Sequence, residues 1–227
     1  MKYDKTLLES GALHGSTPGI DKNVHTNSPW TGQDLCRINR RFMGSGMSQS
    51  YVGIYFFEYY QESNNFEYVV EFGSQKGSLS TYYANMAAIT EKFFYETYEL
   101  MPDQDWYSRP NEGVGHWFDK LADISPYINR YHQNIFSQDT YNHVEENIKQ
   151  FKTFIFCDGG DKASEFNLYA PLIKPGDRIA VHDWGHEIHY EQIQETCEKY
   201  SIVADLHWAQ TNIDFGTLIM PFRKSDG

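Results

Sequence analysis

Four acidic side chains lie near the ends of apolar stretches in this 227-residue sequence, and their placement is the first indication of chemistry. Glu71, Glu99, Asp158 and Asp183 each stand at or beside such an end. In an open α/β sheet the carboxyl ends of parallel strands line one edge, and ligands bind in the crevice outside it. The sequence therefore predicts an acidic crevice, where Glu99 is placed to accept hydrogen bonds from a ribose diol. A solvated loop acid is the alternative for Glu99 taken alone.

A glycine-rich turn follows the first of these stretches. Gly73 and Gly77 lie between an apolar run and a segment with helical spacing, which predicts a strand, a turn and a helix in succession. Glycine permits positive φ and close approach of a ligand to the backbone, and a helix start presents free N–H groups. The letters match neither G-x-x-x-x-G-K-[ST] nor G-x-G-x-x-G, because Gln75 and Lys76 occupy the deciding positions. From these residues alone, an ordinary βα turn is the alternative.

Histidines cluster after a later apolar stretch. His182, His186 and His189 surround Asp183 and form a dense set of imidazole and carboxylate groups. Such a set is compatible with a metal centre for hydrolysis or oxygen chemistry, although the spacing is not H-E-x-x-H. The alternatives are base catalysis or substrate binding, and plain polar residues at a helix start. The sequence has neither a G-x-S-x-G elbow nor a Cys–His arrangement that would indicate a covalent nucleophile.

Charge and cysteine content exclude several classes of binding partner and of structural site. The formal net charge of −12 argues against nucleic acid and against an anionic membrane, both of which need basic patches. Cys36, Cys157 and Cys197 are too few and too scattered for a disulfide framework or a zinc site. We therefore expect a cytoplasmic protein without a secretory leader or a membrane span.

Two regions are predicted. Residues 1–65 form an N-terminal arm with helices, of which one spans about 48–62 with an aromatic stripe for packing. The alternative to packing is that residues 44–51 cover a bound ligand as a lid. Residues 66–227 alternate strands with helices, which implies parallel βαβ units. The predicted strands are 68–72, 93–100, 129–135, 153–157, 178–182, 203–209 and 216–222, and the predicted helices are 78–90, 116–122, 140–151, 163–173 and 187–200.

Only a short segment separates the last two predicted strands. Residues 210–215 cannot form a parallel crossover, so these strands must pair antiparallel. The predicted fold class is α/β: a Rossmann-like, seven-stranded, mostly parallel sheet with a C-terminal antiparallel hairpin.

These motifs, in this order, resemble the class I S-adenosylmethionine-dependent methyltransferases, especially the group of the cephalosporin hydroxylases and sugar O-methyltransferases. The resemblance covers about residues 44–224. It rests on the stretch from Glu71 to Ser80, on Glu99, on the 157–162 segment, on the 172–177 segment that leads to His182-Asp183, and on the terminal hairpin. Two departures from the family pattern are Gln75, where a glycine is frequent, and Asn134, where an acid is frequent.

The resemblance implies roles for particular residues. The cofactor S-adenosylmethionine would lie against the 71–80 loop, with Glu99 on its ribose and Asn134 and Phe136 at its adenine. The implied loop contacts are Glu71, Gly73, Ser74, Gly77 and Ser80. Asp158, His182 and Asp183 match the positions that hold a divalent ion such as Mg²⁺ in metal-dependent relatives. His182 stands where an oxygen ligand is usual, which favours a borderline metal such as Mn²⁺ or Fe²⁺, and a role as a base is the alternative for it. Together with Lys162, near a lysine base of those relatives, these three form the implied catalytic set.

The expected activity is methyl transfer from S-adenosylmethionine to a hydroxyl of a small molecule, such as a sugar or secondary metabolite. Metal-dependent oxidation or hydrolysis at Asp158, His182 and Asp183 is one alternative, and a cofactor-binding scaffold without catalysis is another. The expected partner is a small-molecule acceptor, and a homo-oligomer is compatible with the sequence.

Overall fold

The computed structural model describes residues 51–74, 78–100, 118, 122–209 and 218–225. The predicted arm at 1–50, the 101–115 segment, most of the predicted 116–122 helix and Gly77 lie outside these ranges. Strands and helices alternate along the described chain. The strands are β1 Tyr68–Phe72, β2 Phe94–Tyr98, β3 Ile128–Tyr131, β4 Thr153–Cys157, β5 Arg178–Val181, β6 Ile202–Ala204 and β7 Met220–Lys224. The helices are α1 Tyr51–Asn64, α2 Ser78–Thr90, α3 Gln138–Gln150, α4 Lys162–Tyr169 and α5 Gln194–Tyr200, with short 3₁₀ turns at Ala170–Leu172 and Tyr190–Gln192.

The seven described strands form one sheet in the order β3-β2-β1-β4-β5-β7-β6. The first five strands in the chain pair in parallel, whereas β7 pairs antiparallel with both β5 and β6. This architecture confirms the predicted fold class and its antiparallel closing strand. The reversal of strand order at β1 and β4 is the topological switch point at which ligands bind in such sheets.

Apolar side chains cover both faces of the sheet. Every residue of β1 and β4 is buried, as expected for central parallel strands. Val70 and Phe72 belong to the core on one face, and Val69 belongs to the core on the other. On that second face, Phe57 of α1 packs its ring edge-on against Phe156 of β4, so α1 is part of the same core as the sheet.

A buried carboxylate on β2 is satisfied by aromatic hydroxyls. Glu96 accepts hydrogen bonds from the hydroxyls of Tyr68 at 2.5 Å, Tyr98 at 3.1 Å and Tyr131 at 3.3 Å. The Nε2 atom of His143 on α3 lies 3.2 Å from both of its oxygens. This network joins β1, β2, β3 and α3 on one face of the sheet, and the sequence reasoning did not anticipate it.

Two predicted elements were wrong in extent. The strand predicted at 203–209 ends at Ala204, and residues 206–209 form a helical turn instead. Asp205 explains the change, because its carboxylate accepts hydrogen bonds from Arg178 at 3.0 Å and from the Tyr60 hydroxyl at 3.1 Å. The helix predicted from 187 begins only at Gln194, since Gly185 has φ +81° and His189 is extended.

Other predicted boundaries shift by a few residues. The predicted strand 129–135 is Ile128–Tyr131, because a turn follows it, and the predicted strand 216–222 is described as Met220–Lys224. Within the described residues, no helix combines the length and the apolar character that crossing a bilayer would require.

Candidate active site

Main-chain hydrogen bonds continue past the strand ends and align the predicted site residues along one edge. Gly73 N donates to Tyr98 O at 2.9 Å, and Asp158 N donates to Phe72 O at 2.9 Å. His182 N donates to Cys157 O at 3.0 Å, which places the loops after β1, β4 and β5 side by side. The structure thus brings the predicted loop and acids to the same edge of the sheet.

Gly73 is the point at which two of these loops touch. Its φ is +86°, and a Cβ there would lie 2.4 Å from Asp158 O and 2.5 Å from the Gly159 backbone. No side chain fits in that space, so glycine is required for the loop after β1 to meet the loop after β4. The candidate cofactor loop and the acid Asp158 are therefore in direct backbone contact.

Glu71 lies beneath this loop and is fully buried. Its Oε2 atom accepts hydrogen bonds from the hydroxyls of Ser80 and Tyr95, and from Thr97 Oγ1 at 3.1 Å. Burial raises the pKa of Glu71 to about 7, although the hydroxyls of Ser80 and Tyr95 oppose the shift. Glu71 and Ser80, both predicted at the cofactor, thus bond to each other and fix the start of α2 against β1 and β2.

Ser74 presents a buried polar atom without a partner. Its hydroxyl makes no hydrogen bond within the part of the chain that the structure describes, although the residue is buried. Such groups are rare in native proteins and call for an explanation such as a bound ligand. A ligand at this turn would satisfy it, which is consistent with the predicted cofactor loop.

The predicted ribose and adenine residues follow adjacent strands. Glu99 comes directly after β2, and its N–H donates to Tyr131 O at 3.0 Å. Asn134 and Phe136 lie in the turn after β3, where Asn134 Oδ1 accepts from Phe136 N at 2.9 Å. Phe136 is 47% exposed, which is compatible with a contact between its ring and a planar ligand. The Asn134 carboxamide already caps its own turn, which leaves its amino group for a ligand.

Asp158, His182 and Asp183 form a compact cluster. His182 Nδ1 lies 2.9 Å from Asp158 Oδ1 and 3.4 Å from Asp183 Oδ2. One donor atom from each residue lies within 4.8 Å of the other two. This is the one such group among the described residues. It assembles from the ends of β4 and β5, as the sequence predicted.

Lys162 reaches into this cluster from the start of α4. Its Nζ atom lies 2.6 Å from Glu187 Oε2, 3.2 Å from Asp183 Oδ2 and 3.9 Å from Asp158 Oδ1, and it donates to Gly159 O at 3.1 Å. Sequence reasoning missed Glu187, because an exposed glutamate in a polar loop carries no pattern that points to a site.

The charges of the cluster reinforce one another. Burial opposes a charge on His182, but hydrogen bonds to Asp158 and Asp183 outweigh it and raise the histidine pKa to about 9. His182 in turn lowers the pKa of Asp183 to about 2. Burial also opposes the charge on Lys162, yet Glu187 and the two aspartates raise its pKa overall. With no added cation, both bases therefore carry protons at neutral pH.

A second buried acid supports the loop that carries Asp158. Glu165 on α4 accepts a hydrogen bond from Gly159 N at 3.2 Å, and a Cβ on Gly159 would collide with its carboxylate. Burial raises the pKa of Glu165 to about 7. The sequence reasoning did not single out Glu165.

The donor set suits a divalent cation. Two carboxylates and one imidazole nitrogen converge on a small volume, and such oxygen-rich sets bind Mg²⁺ or, with the nitrogen, Mn²⁺. The residues present therefore fit the metal that the family resemblance implies. The Ser74 hydroxyl, which has no partner among the described residues, and the Gly73 contact likewise fit a ligand at the turn after β1.

Comparison with known proteins identifies solved structures of the same fold. No family model and no curated protein matches the chain. CmcI in a form with Mg and SAM is 12% identical, with a TM-score of 0.54 over 82% of this chain and 76% of that one. CalS11, a calicheamicin methyltransferase, is 9% identical, with a TM-score of 0.54 over 98% and 90% of the two chains. The chain has the fold of these proteins. The resemblance to class I methyltransferases is thus confirmed at the level of the fold.

Proposed function

We propose that the protein is an S-adenosylmethionine-dependent O-methyltransferase that acts on a hydroxyl of a small molecule with the help of a divalent cation. The observation that carries this proposal is the Asp158, His182 and Asp183 cluster, held in backbone contact with the Gly73 loop. The cofactor loop and the ion site adjoin, as methyl transfer to an ion-bound acceptor requires. The fold shared with CalS11, described as a TDP-rhamnose 3'-O-methyltransferase, supports this activity and a sugar-like acceptor.

The cofactor side of the proposal uses the edge formed by β1, β2 and β3. Gly73 and Ser74 lie against the methionine part, with Gly77 as a prediction from the sequence. Glu71 and Ser80 act from beneath by fixing the loop. Glu99 accepts hydrogen bonds from the ribose diol, while Asn134 and Phe136 contact the adenine.

The acceptor side uses the ends of β4 and β5. Asp158, His182 and Asp183 would hold the ion, which when bound supplies positive charge that eases deprotonation of an adjacent hydroxyl. In the transfer, the acceptor oxygen bonds to the methyl carbon, and the sulfur keeps the electron pair of the broken C–S bond. Lys162, whose resting form is the ammonium, takes the hydroxyl proton at Nζ after it has released one proton to solvent.

Calorimetric titration with S-adenosylmethionine tests the cofactor assignment directly. We expect saturable binding by the wild type. Absence of cofactor binding, with Mn²⁺ binding retained, would replace the proposal with metal-dependent oxidation or hydrolysis at the same cluster. Cofactor binding without transfer to any sugar or phenolic acceptor would favour a scaffold without catalysis.

Asp183→Ala separates the two halves of the site. It removes an ion ligand but no predicted cofactor contact, so transfer should fall by at least about 100-fold, as is typical when a metal site is disabled. Cofactor affinity should stay within about threefold, a change of under 1 kcal/mol. Asp139→Ala, in the exposed first turn of α3, is the matched control and should leave both quantities unchanged.

A further inference from the structure

The ammonium of Lys162 faces the two carboxylates of the candidate ion site. Asp158 Oδ1 and Asp183 Oδ2 both contact His182 Nδ1, and Lys162 Nζ lies 3.9 and 3.2 Å from them. A divalent cation bound by these carboxylates would share them with the Lys162 ammonium, and like charges that close repel strongly even at a partly exposed site. Lys162 is therefore a competitor for the site as well as a neighbour of it.

Glu187 is an alternative ion-pair partner for the Lys162 ammonium. It makes the shortest of the Lys162 carboxylate contacts, at 2.6 Å, whereas Asp158 Oδ1 makes the longest, at 3.9 Å. The Lys162 side chain is 6% exposed and Glu187 is 63% exposed, so the exposed partner can move with the ammonium. Gly159 O, at 3.1 Å, is a further hydrogen-bond acceptor for the ammonium.

The charge count favours this arrangement. Asp158, Asp183 and Glu187 contribute three negative charges, and Lys162 contributes one positive charge. With His182 neutral, the group therefore has a net charge of two negative units. A divalent ion balances that remainder. Without Glu187, the same ion and ammonium would face only two carboxylates and leave an excess positive charge in a largely buried site.

We propose that Lys162 and Glu187 form a cation selector: Lys162 competes with the divalent ion for Asp158 and Asp183, and Glu187 relieves that competition by holding the ammonium, without itself binding the ion. This inference rests on the metal-assisted part of the proposed function. Glu187 is a positioning residue in this scheme, since it acts through Lys162.

Direct Mn²⁺ binding to the full chain tests the selector, measured without S-adenosylmethionine by calorimetry and by the electron paramagnetic resonance signal of free Mn²⁺. Lys162→Met should bind Mn²⁺ about tenfold more tightly or better, because the competing charge is gone. Glu187→Gln should bind it several-fold more weakly. The double variant should match Lys162→Met. The ion pair of Lys149 and Glu145 on α3, changed to Met and Gln, is the matched control and should have no effect.

The double variant decides between mechanisms. If Glu187→Gln weakens Mn²⁺ binding equally with and without Lys162, then Glu187 acts on the ion directly and the selector is overturned. Unchanged affinity in both single variants would also overturn it while leaving the proposed function intact. If no form binds Mn²⁺ and the wild type still binds S-adenosylmethionine, the metal-assisted part of the function fails together with the selector. Because Glu187 is exposed, unchanged Mn²⁺ affinity in Glu187→Gln alone overturns the selector even where Lys162→Met does not fold.

Discussion

The buried carboxyl of Glu71 should make the stability of the protein depend on pH. Burial raises its pKa from 4.5 to about 7, so the folded chain keeps a proton that an unfolded glutamate has already lost. Between these values folding takes up a proton, and the free energy of unfolding falls as the pH rises. A difference of about 2.5 pH units corresponds to roughly 3 kcal/mol, at about 1.4 kcal/mol per unit. Glu71→Gln cannot ionise and should remove this dependence.

Urea unfolding of wild type and variant at several pH values between 4.5 and 8 measures the effect. The amide oxygen of glutamine can still accept from the Ser80 and Tyr95 hydroxyls. We expect the wild type to lose about 3 kcal/mol more than Glu71→Gln across this range. Glu165 makes a similar contribution to the pH dependence of stability, but it is present in both proteins and cancels in the difference between them. Parallel curves for the two proteins would refute the argument, and Glu146→Gln on the exposed face of α3 should follow the wild type.

Three further substitutions probe the edge of the sheet. Gly73→Ala places a Cβ 2.4 Å from Asp158 O at a positive φ, so chemical denaturation should show a loss of at least about 2 kcal/mol; Gly160→Ala, where a Cβ meets nothing within 4 Å, is its control. Glu99→Gln removes a charged acceptor from the predicted diol site, so calorimetry should show S-adenosylmethionine binding about 10- to 100-fold more weakly; unchanged affinity would remove Glu99 from the cofactor site. Tyr68→Phe deletes a hydroxyl bound to buried Glu96, and urea unfolding should report a loss of about 1–3 kcal/mol.

Local sequence patterns were sufficient for the central elements. The bounds of β1, α2 and β4 were predicted correctly, because apolar runs end there at glycine, aspartate or helix-spaced residues. The convergence of Asp158, His182 and Asp183 followed from one topological rule, that parallel strand ends share an edge. The strand prediction failed where a tertiary contact overrides the local sequence pattern. The sequence of residues 205–209 resembles that of a strand, but the Asp205 carboxylate accepts hydrogen bonds from Arg178 and Tyr60, and the strand ends before it.

The hydroxyl networks could not be predicted, because most of their partners come together only when the strands pair. Glu71 on β1 accepts from hydroxyls of β2 and α2, and Glu96 on β2 accepts from hydroxyls of β1, β3 and its own strand. In the sequence these tyrosines are indistinguishable from ordinary core aromatics. The structure gives part of the tyrosine-rich composition a function, since phenolic hydroxyls satisfy carboxylates that would otherwise be buried without donors. The cytoplasmic location, the domain boundary at residue 65 and a homo-oligomer stay predictions.

The position of β7 between β5 and β6 has a consequence for synthesis on the ribosome. Among the described strands β6 pairs with β7 alone, so it has no sheet partner when it emerges. At about 5–20 residues per second, the wait for residue 224 lasts a few seconds. During that interval the free edge of β5 and the apolar residues of β6 are open to other chains. Arg178 and Tyr60, by holding Asp205 just after β6, can tether this segment beside the sheet until β7 inserts between them.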